Sequence, residues 1–422
     1  MRIWLINHYA VPTQYYPLAR PAAFAKHLMR AGHEVTIFAA STVHNTHLNL
    51  ITDGSLYQED TVDGIHYVYV RDIGYEGNGI SRILNMLLFP PRLGRVCRRF
   101  PRPDVILSVS ATPMACMKGL KLAKKYGCVG VAEIADLWPE SFVAYGLLSK
   151  RNPLLRLMYA YEKKLYSAAS AIVFTMEGGK DYLAAKGWDT GSGGPLDMSK
   201  VYHINNGVDL EAFDGDCKRQ SFADPDLDDP DTFKVIYTGA IRKANDLSVL
   251  VDTAERLKLR GKDTVKLILY GDGDERAALA TEAARRNLDN IVFKGRADKR
   301  LIPYILSRAD LCLLHWKATP IEQYGMSMNK QFDYFASGKP ILANTRTAYD
   351  LIERYAAGSA LNLTTADAYA DAICRFAQMD ADQRRSHGQN ARKAAEEYDF
   401  AKLTDALMRI MESERTARRF TA

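Results

Sequence analysis

The sequence lacks the features that mark secreted, metal-binding and membrane-spanning proteins. Its six cysteines are scattered without a C-x-x-C pair, which argues against a zinc site or a disulfide framework and favours a reducing compartment. No apolar run reaches the roughly 18 residues of a membrane span, and the start MRIWLINHYA does not resemble a secretion signal. The nine histidines show no metal-ligand spacing. We therefore expect no metal or cofactor, and a location in the cytoplasm or at the inner face of the cell membrane.

Several catalytic motifs are also absent. There is no G-x-x-x-x-G-K-[ST] and no G-x-S-x-G, which argues against a P-loop NTPase and an α/β-hydrolase. Gly271 and Gly273 follow an apolar run, but Arg276 stands where a dinucleotide fingerprint has its third glycine. A dehydrogenase is therefore disfavoured. The net charge of +6 is modest, and we expect no nucleic-acid partner.

What the chain does contain is an alternation of short apolar runs with helix-period segments over most of its 422 residues. This pattern predicts an α/β fold with two doubly wound, Rossmann-like parallel-sheet domains that face each other across a cleft. Loop compositions at 187–199 and 214–232 place the boundary near residue 212. The predicted domains are residues 1–211 and 212–398, followed by a C-terminal helix at 399–422 that could pack back on the first domain.

One segment, residues 80–102, carries arginines and no acidic residue, interleaved with Ile, Leu, Met and Phe. It is typical either of a basic amphipathic segment on an anionic membrane surface or of a core-facing helix with a solvated basic face. The pair Pro90-Pro91 is expected to break this helix.

The strongest candidate site lies at residues 322–342, where a Gly/Ser/Asn loop opens a short helix that carries Lys330 and Asp333. The start of a helix can bind an anion such as a phosphate, although an ordinary βαβ unit would look similar. Gly239, Gly271 and Gly273 follow neighbouring strands, and the first is followed by Arg242 and Lys243, which suit a diphosphate unless they form only a solvated turn.

In the first domain, polar residues follow two predicted strands. His8 and Arg20 come after the first strand, and a structural role is the alternative for a lone histidine. Asp136, Trp138 and Glu140 come after the strand VGVAEIAD. Because parallel sheets place ligands beyond the carboxyl ends of their strands, these residues are expected to face the cleft.

Together these stretches resemble glycosyltransferase family 4, with the GT-B fold, and specifically the bacterial branch that builds O-antigen, capsule and exopolysaccharide units. The resemblance rests on the order and spacing of NHYAVP, PDVILSVSATP, EIADLWPES, INNGVD, YTG, YGDGDER, NIVFKG and NKQFDYFASGKPIL. It implies a retaining, metal-independent transfer of a hexosyl or N-acetylhexosaminyl group from a nucleotide diphosphate sugar, with UDP the expected nucleotide. The expected acceptor is a saccharide or lipid-linked saccharide, bound by the first domain.

The resemblance also assigns roles. Asp333 would bind the nucleotide ribose, Arg242 and Lys243 the diphosphate, and Asp136 would be catalytic although Ala135 precedes it where many relatives have His. Glu322 stands eleven positions before Asp333, and Gly325 occupies the place of the family's first acid. Ala240 replaces the usual Arg after the strand-end glycine, and Pro17-Leu18 replaces a Gly-Gly loop. The other implied contacts are Gly239, Gly271, Gly273, Glu322, Met328, Asn329 and Lys330 for the donor, and His8, Arg20, Trp138 and Glu140 for the acceptor.

Two other functions stay open at this point. Ala135 and the stretched acid pair are compatible with a non-catalytic subunit that binds a nucleotide sugar or a polysaccharide. A nucleotide-sugar epimerase could use the same two-domain architecture.

Overall fold

The computed structural model describes residues 1–16, 19–77, 79–243 and 245–420. The chain divides into two compact units, of which the first comprises 1–205 with 400–422 and the second 206–399. The boundary falls six residues earlier than predicted, and the reason is local. Arg20 in the first unit binds the carbonyl oxygen of Asn205, whereas the backbone N–H of Asn206 donates to Ser327 in the second.

The first unit is built on an eight-stranded sheet with the order β3-β4-β2-β1-β5-β6-β7-β8. Neighbours pair in parallel, except that β3 runs antiparallel to β4. The strands are β1 (Arg2–Ile6), β2 (Glu34–Ala40), β3 (Tyr57–Val62), β4 (Ile65–Val70), β5 (Val105–Val109), β6 (Val129–Ile134), β7 (Ala171–Phe174) and β8 (Val201–His203). Its helices are α1 (Ala19–Arg30), α2 (Ile80–Val96), α3 (Pro113–Tyr126), α4 (Glu140–Ala144), α5 (Pro153–Ala168), α6 (Gly179–Ala185) and, from the chain end, α16 (Phe400–Arg419).

Local sequence explains several of these boundaries. Helix α3 begins with Pro113 in its first turn and ends at Gly127, which adopts the left-handed conformation common after helices. Helix α5 is capped by Asn152, whose side chain accepts from the Leu154 N–H. Helix α2 runs unbroken through Pro90 and Pro91, so the predicted break is wrong.

The C-terminal helix α16 belongs to the first unit. It lies against α1, and the Phe400 ring packs on Phe24 with 5.6 Å between ring centroids. Near its other end, Arg418 donates to the carbonyl oxygen of Cys128. Residues 421 and 422 lie outside the described part of the chain.

The second unit contains a six-stranded, wholly parallel sheet with the order β11-β10-β9-β12-β13-β14. Its strands are β9 (Phe233–Thr238), β10 (Val265–Tyr270), β11 (Ile291–Gly295), β12 (Leu311–Leu314), β13 (Ile341–Ala343) and β14 (Gly358–Ala360). Its helices are α7 (Leu210–Arg219), α8 (Pro225–Asp228), α9 (Ser248–Leu259), α10 (Arg276–Arg285), α11 (Ile302–Ser307), α12 (Asn329–Ser337), α13 (Leu351–Arg354), α14 (Ala366–Gln378) and α15 (Ala381–Glu397).

This sheet is buried on both faces, as parallel sheets usually are. Val235 and Tyr237 enter one apolar cluster and Ile236 the opposite one. The segment 214–232, predicted as a loop or linker, contains the end of α7 and the whole of α8, so the prediction holds only for residues 220–224 and 229–232. Strand order brings the carboxyl ends of β10, β9 and β12 side by side.

Candidate active site

Glycine loops follow β9 and β10 in the second unit, and their backbones lie directly on one another. The Gly239 N–H donates to the carbonyl oxygen of Tyr270 over 2.9 Å. A β-carbon at Gly271 would lie 1.7 Å from the Gly239 oxygen, and one at Gly273 would lie 2.2 Å from the Ile241 oxygen. Only glycine fits at such distances, so the three predicted glycines shape one surface at the carboxyl edge of this sheet.

Two cations lie on this surface. Arg242 and Lys243 are both exposed in the loop after β9, and the Arg242 Cγ would be 2.8 Å from a β-carbon at Gly273. Within the described ranges neither cation forms an ion pair with a carboxylate. Ala244, the next residue, lies outside those ranges. The pair therefore adds two cations, neither ion-paired within the described ranges, beside the glycine loops.

Helix α12 begins at the same edge without a side-chain cap. Its N-cap, Met328, makes no capping hydrogen bond. The preceding loop is held by Asn206, whose N–H donates to the Ser327 Oγ at 2.9 Å and whose amide group binds Asn329 Oδ1. The Gln331 N–H already donates to the Met328 carbonyl oxygen at 3.2 Å, so in the described chain the Asn329 and Lys330 N–H groups are the ones available at the positive end of this helix dipole.

Lys330 reaches back from this helix to the end of β9. Its ammonium donates to the Tyr237 hydroxyl at 3.1 Å and to the His315 carbonyl oxygen at 3.3 Å, and it lies 4.4 Å from the centroid of the Tyr237 ring. The same nitrogen would be 3.1 Å from a β-carbon at Gly239. Burial lowers the pKa of Lys330 to about 7.

Tyr237 and His315 were not predicted from the sequence. The Tyr237 hydroxyl donates to the Ala240 oxygen at 2.9 Å, and His315 is held between Tyr369 (2.7 Å from Nδ1) and the Asp246 oxygen (3.0 Å from Nε2). Burial lowers the pKa of His315 to about 4. The only sequence signal is position, since Tyr237 precedes the strand-end glycine and His315 directly follows β12.

Asp333 lies one turn further along α12 and is half-buried. Burial raises the pKa of its carboxyl group, and the charge of Lys299 opposes that effect. No hydrogen-bond donor of the described chain is paired with this carboxylate. Its oxygens are therefore available to a ligand hydroxyl.

Glu322 has a different role from the predicted donor contact. Its carboxylate is buried and accepts two hydrogen bonds from the Thr319 N–H, at 2.8 and 2.7 Å, and one from Trp316 Nε1 at 3.1 Å. With Thr319 it forms a capping box on the short 3₁₀ segment Pro320–Tyr324. Because these bonds already occupy both oxygens, the structure argues against Glu322 as a donor ligand.

In the first unit, the three candidate residues that follow β6 lie in different environments. Asp136 is exposed, and no ion pair involves it among the residues the structure describes. Trp138 is half-buried with its ring 4.5 Å from that of Phe142. Glu140 accepts from Lys186 and Tyr159, both at 2.6 Å. Although burial would raise it, these hydrogen bonds hold the pKa of Glu140 below its usual value.

His8 and Arg20, predicted as acceptor contacts, are internal. His8 is fully buried, with Nε2 2.8 Å from the Asn85 side-chain oxygen and Nδ1 3.3 Å from the Thr112 hydroxyl. Arg20 is 6% exposed and forms a 3.0 Å ion pair with Glu133. It also donates to the carbonyl oxygens of Ile204 and Asn205. His8 thus links the end of β1 to α2 and the start of α3, and Arg20 links α1 to β6 and to the residues after β8, so both have internal roles, which corrects the prediction.

The last observations concern the Pro17-Leu18 loop, metal ligands and membrane-spanning helices. Pro17 and Leu18 lie outside the described residues. No group of three or more His, Cys, Asp or Glu side chains in the described ranges is arranged to hold a metal ion. Nor, among those same residues, is any helix long and apolar enough to span a bilayer.

Comparison with known proteins identifies the class of protein to which these two doubly wound units belong. Residues 22–212 match the family model described as Glycosyltransferase Family 4, and residues 232–379 match the model described as Glycosyl transferases group 1. A search of curated proteins found no match.

Solved structures agree on the fold. Sucrose-phosphate synthase from Thermosynechococcus elongatus matches with a TM-score of 0.71 and 16% identity, covering 99% of this chain and 100% of that one. HepE from Anabaena, solved with UDP-glucose, gives 0.63 and 15%, covering 98% and 100%. The trehalose-6-phosphate protein from E. coli, bound with UDP-2-fluoro glucose, gives 0.70 and 10%, covering 97% and 99%.

The chain is thus a glycosyltransferase of the GT-B fold. It combines a glycosyltransferase family 4 domain with a glycosyl transferases group 1 domain. The expectation of a two-domain α/β glycosyltransferase is confirmed.

Proposed function

We propose that this glycosyltransferase moves a hexosyl or N-acetylhexosaminyl group from a UDP-sugar to a saccharide or lipid-linked saccharide in surface polysaccharide biosynthesis, with retention of configuration and without a metal ion. One observation carries the proposal. Arg242 and Lys330 lie against the glycine loops of the second unit, Lys243 follows Arg242 in the same loop, and Lys330 belongs to the first turn of the uncapped helix α12. UDP and UDP-glucose in the HepE structures support a uridine donor.

In the proposed reaction, these three cations and the α12 backbone N–H groups hold the donor diphosphate, and Asp333 binds the ribose. The bond between the sugar C1 and the diphosphate oxygen breaks, while the acceptor hydroxyl attacks C1 on the same face. The hydroxyl proton passes to the leaving phosphate oxygen, and Asp136 assists at the acceptor. Charge stabilisation of the leaving diphosphate is expected to be the largest contribution.

The test uses Arg242→Ala combined with Lys243→Ala. Turnover of radiolabelled donor should fall by at least about 100-fold, the scale of a lost oxyanion donor. Leu259→Gln is a matched control, because Leu259 is 72% exposed on α9 and the proposed site does not include it. Unchanged turnover in the double variant would refute the assignment.

The donor and the reaction are identified separately. Thermal unfolding with a panel of nucleotides and nucleotide sugars identifies the donor, because a ligand that binds the folded state raises its stability. Radiolabelled donor is then incubated with and without membrane lipid extract. Donor binding without product would indicate a binding subunit, and a new epimer formed from donor alone would indicate an epimerase.

We also propose that residues 80–102 contact an anionic membrane surface. In support, Arg95, Arg98 and Arg99 are exposed at the end of α2 and just beyond it. Replacing these three arginines by Gln should reduce flotation with anionic vesicles. Unchanged flotation would mean that these arginines only form the solvated face of a core-facing helix.

A further inference from the structure

The first unit exposes an unusual amount of apolar surface in two separate segments. Twelve large apolar side chains are prominently exposed in the part of the chain that the structure describes, and eight of them lie in α2 or in residues 145–157, which run from the end of α4 into α5. Contiguous exposed apolar patches on a monomer generally mark an interaction surface. The eight are Ile80, Ile83, Leu84, Leu87, Tyr145, Leu147, Leu154 and Leu157.

On α2 the exposed residues form a stripe. Ile80, Ile83, Leu84 and Leu87 have the spacing of one helix face and are between 46% and 77% exposed. Further along, the stripe becomes basic, with Arg95 exposed in the last turn. The opposite face, which includes Phe89 and Leu93, is fully buried in the core. Among the described residues of this unit, none covers the stripe.

The second segment, residues 145–157, was not predicted from the sequence. Tyr145, Leu147, Leu154 and Leu157 are 55%, 68%, 52% and 68% exposed. Between Glu140 and Glu162 the chain contains no acidic residue, and the intervening basic residues are Lys150, Arg151 and Arg156. This segment thus repeats the combination of apolar and basic side chains seen on α2.

Helix α3 connects the two segments, since it packs against both α2 and α5. The Lys118 side chain of α3 lies over Gly94 of α2, where a β-carbon would be 2.3 Å from its Nζ. The exposed Lys121 and Lys124 add positive charge, and no acidic residue occurs from 105 to 132. The three helices therefore pack side by side, and each contributes exposed apolar or basic side chains.

We infer that residues 145–157 and the exposed stripe of α2 together bind an anionic lipid bilayer. Apolar side chains inserted at the headgroup level and lysines or arginines around them are the features that such binding requires. A second copy of this chain fits less well, because two acid-poor basic faces would repel each other. This step rests on the proposed function: for such a glycosyltransferase, a membrane-binding surface favours a lipid-linked saccharide as the acceptor.

The experiment is flotation of the full chain with two kinds of vesicle, pure phosphatidylcholine and equal parts of phosphatidylcholine and phosphatidylglycerol. The wild type should float with the mixed vesicles only, and less at high salt. Leu154→Gln with Leu157→Gln should lower the partition coefficient at least about tenfold, and Ile83→Gln with Leu87→Gln should do the same. Leu259→Gln, an exposed leucine of the second unit, should leave it unchanged.

Three results would overturn the inference. They are a wild type that does not float, equal flotation of the Leu154/Leu157 variant, and an oligomer that these substitutions dissociate in sedimentation. Thermal unfolding and stabilisation by donor are measured on each variant. If they match the wild type while flotation is lost, the fold and the donor site are intact. Failure of donor binding in every protein would instead count against the proposed function.

Discussion

Lys330 is expected to make donor binding depend on pH. In the free protein its ammonium touches a phenol, a carbonyl oxygen and an aromatic ring, and burial lowers its pKa to about 7. A bound diphosphate would favour the charged form and raise the pKa towards its ordinary value of 10.5. Binding above neutral pH would then require uptake of one proton.

The size of the effect follows from linkage. If the complex restores the ordinary pKa, the Kd for a UDP-sugar should rise about 30-fold between about pH 6 and about pH 8.5. A UDP-sugar is preferable to UDP because its diphosphate does not titrate in this range. Isothermal titration in two buffers of different ionisation enthalpy should also show proton uptake. In Lys330→Met, the Kd should be higher and nearly independent of pH.

Titration of Lys330 should also make the folded protein more stable as the pH rises, whereas it weakens donor binding over the same range. Without ligand, the folded pKa of Lys330 is about 7, below the ordinary value of 10.5, so the unfolded chain binds more protons between these pH values. Its contribution to the free energy of unfolding should therefore rise by about 2 kcal/mol from about pH 6 to about pH 8.5. Denaturant titrations at each pH give the free energy of unfolding of the wild type and of Lys330→Met, and the difference between the two proteins measures this contribution. Equal pH dependence of Kd in the two proteins would refute the reasoning.

Three further predictions concern residues with other roles. Glu322→Gln should lower the free energy of unfolding by about 1 to 3 kcal/mol, because one of its buried acceptors is lost, yet leave the Kd for the donor unchanged; a large change in Kd would restore Glu322 as a ligand. Arg20→Met should destabilise by about 3 to 5 kcal/mol by leaving Glu133 buried and unpaired; a normal denaturation midpoint with a raised acceptor KM would contradict this. Excess EDTA should not change turnover, because Arg242, Lys243 and Lys330 would supply the charge; loss that Mg²⁺ restores would contradict the metal-independent proposal.

The sequence predicted the buried strands well because they are nearly continuous apolar runs. The apolar segments EVTIFAA at 34–40 and IHYVYV at 65–70 coincide with β2 and β4. Strand β3 was missed because YQEDTV is polar and pairs on one side only. Helix α7 was missed because it is rich in acid and buries only Leu210 and Phe213. Helix α2 continues through two prolines because Phe89 and Leu93 anchor it in the core, so packing overrides local propensity.

For the candidate site, the sequence could identify residue types at strand ends but not the direction in which they point. His8 and Arg20 both come after β1, as a ligand-binding residue would. Their side chains nevertheless point inward, because they bind buried partners far along the chain. The contact between Lys330 and Tyr237 joins residues 93 positions apart, so no local pattern reveals it. Gly271 and Gly273 were predictable because only glycine permits the close approach of two backbones.

The contact between Lys330 and Tyr237 also concerns Ala240, the position at which this chain differs from the family pattern. The resemblance places an arginine directly after the strand-end glycine, and this chain has none there. The Lys330 ammonium lies close to the same glycine, 3.1 Å from where a β-carbon of Gly239 would be. The Ala240 carbonyl oxygen accepts from the Tyr237 hydroxyl and from the Asn245 side chain, and the Tyr237 hydroxyl in turn accepts from Lys330. We therefore expect Ala240→Arg to restore part of the donor affinity that Lys330→Met loses, whereas two independent sites would show purely additive effects.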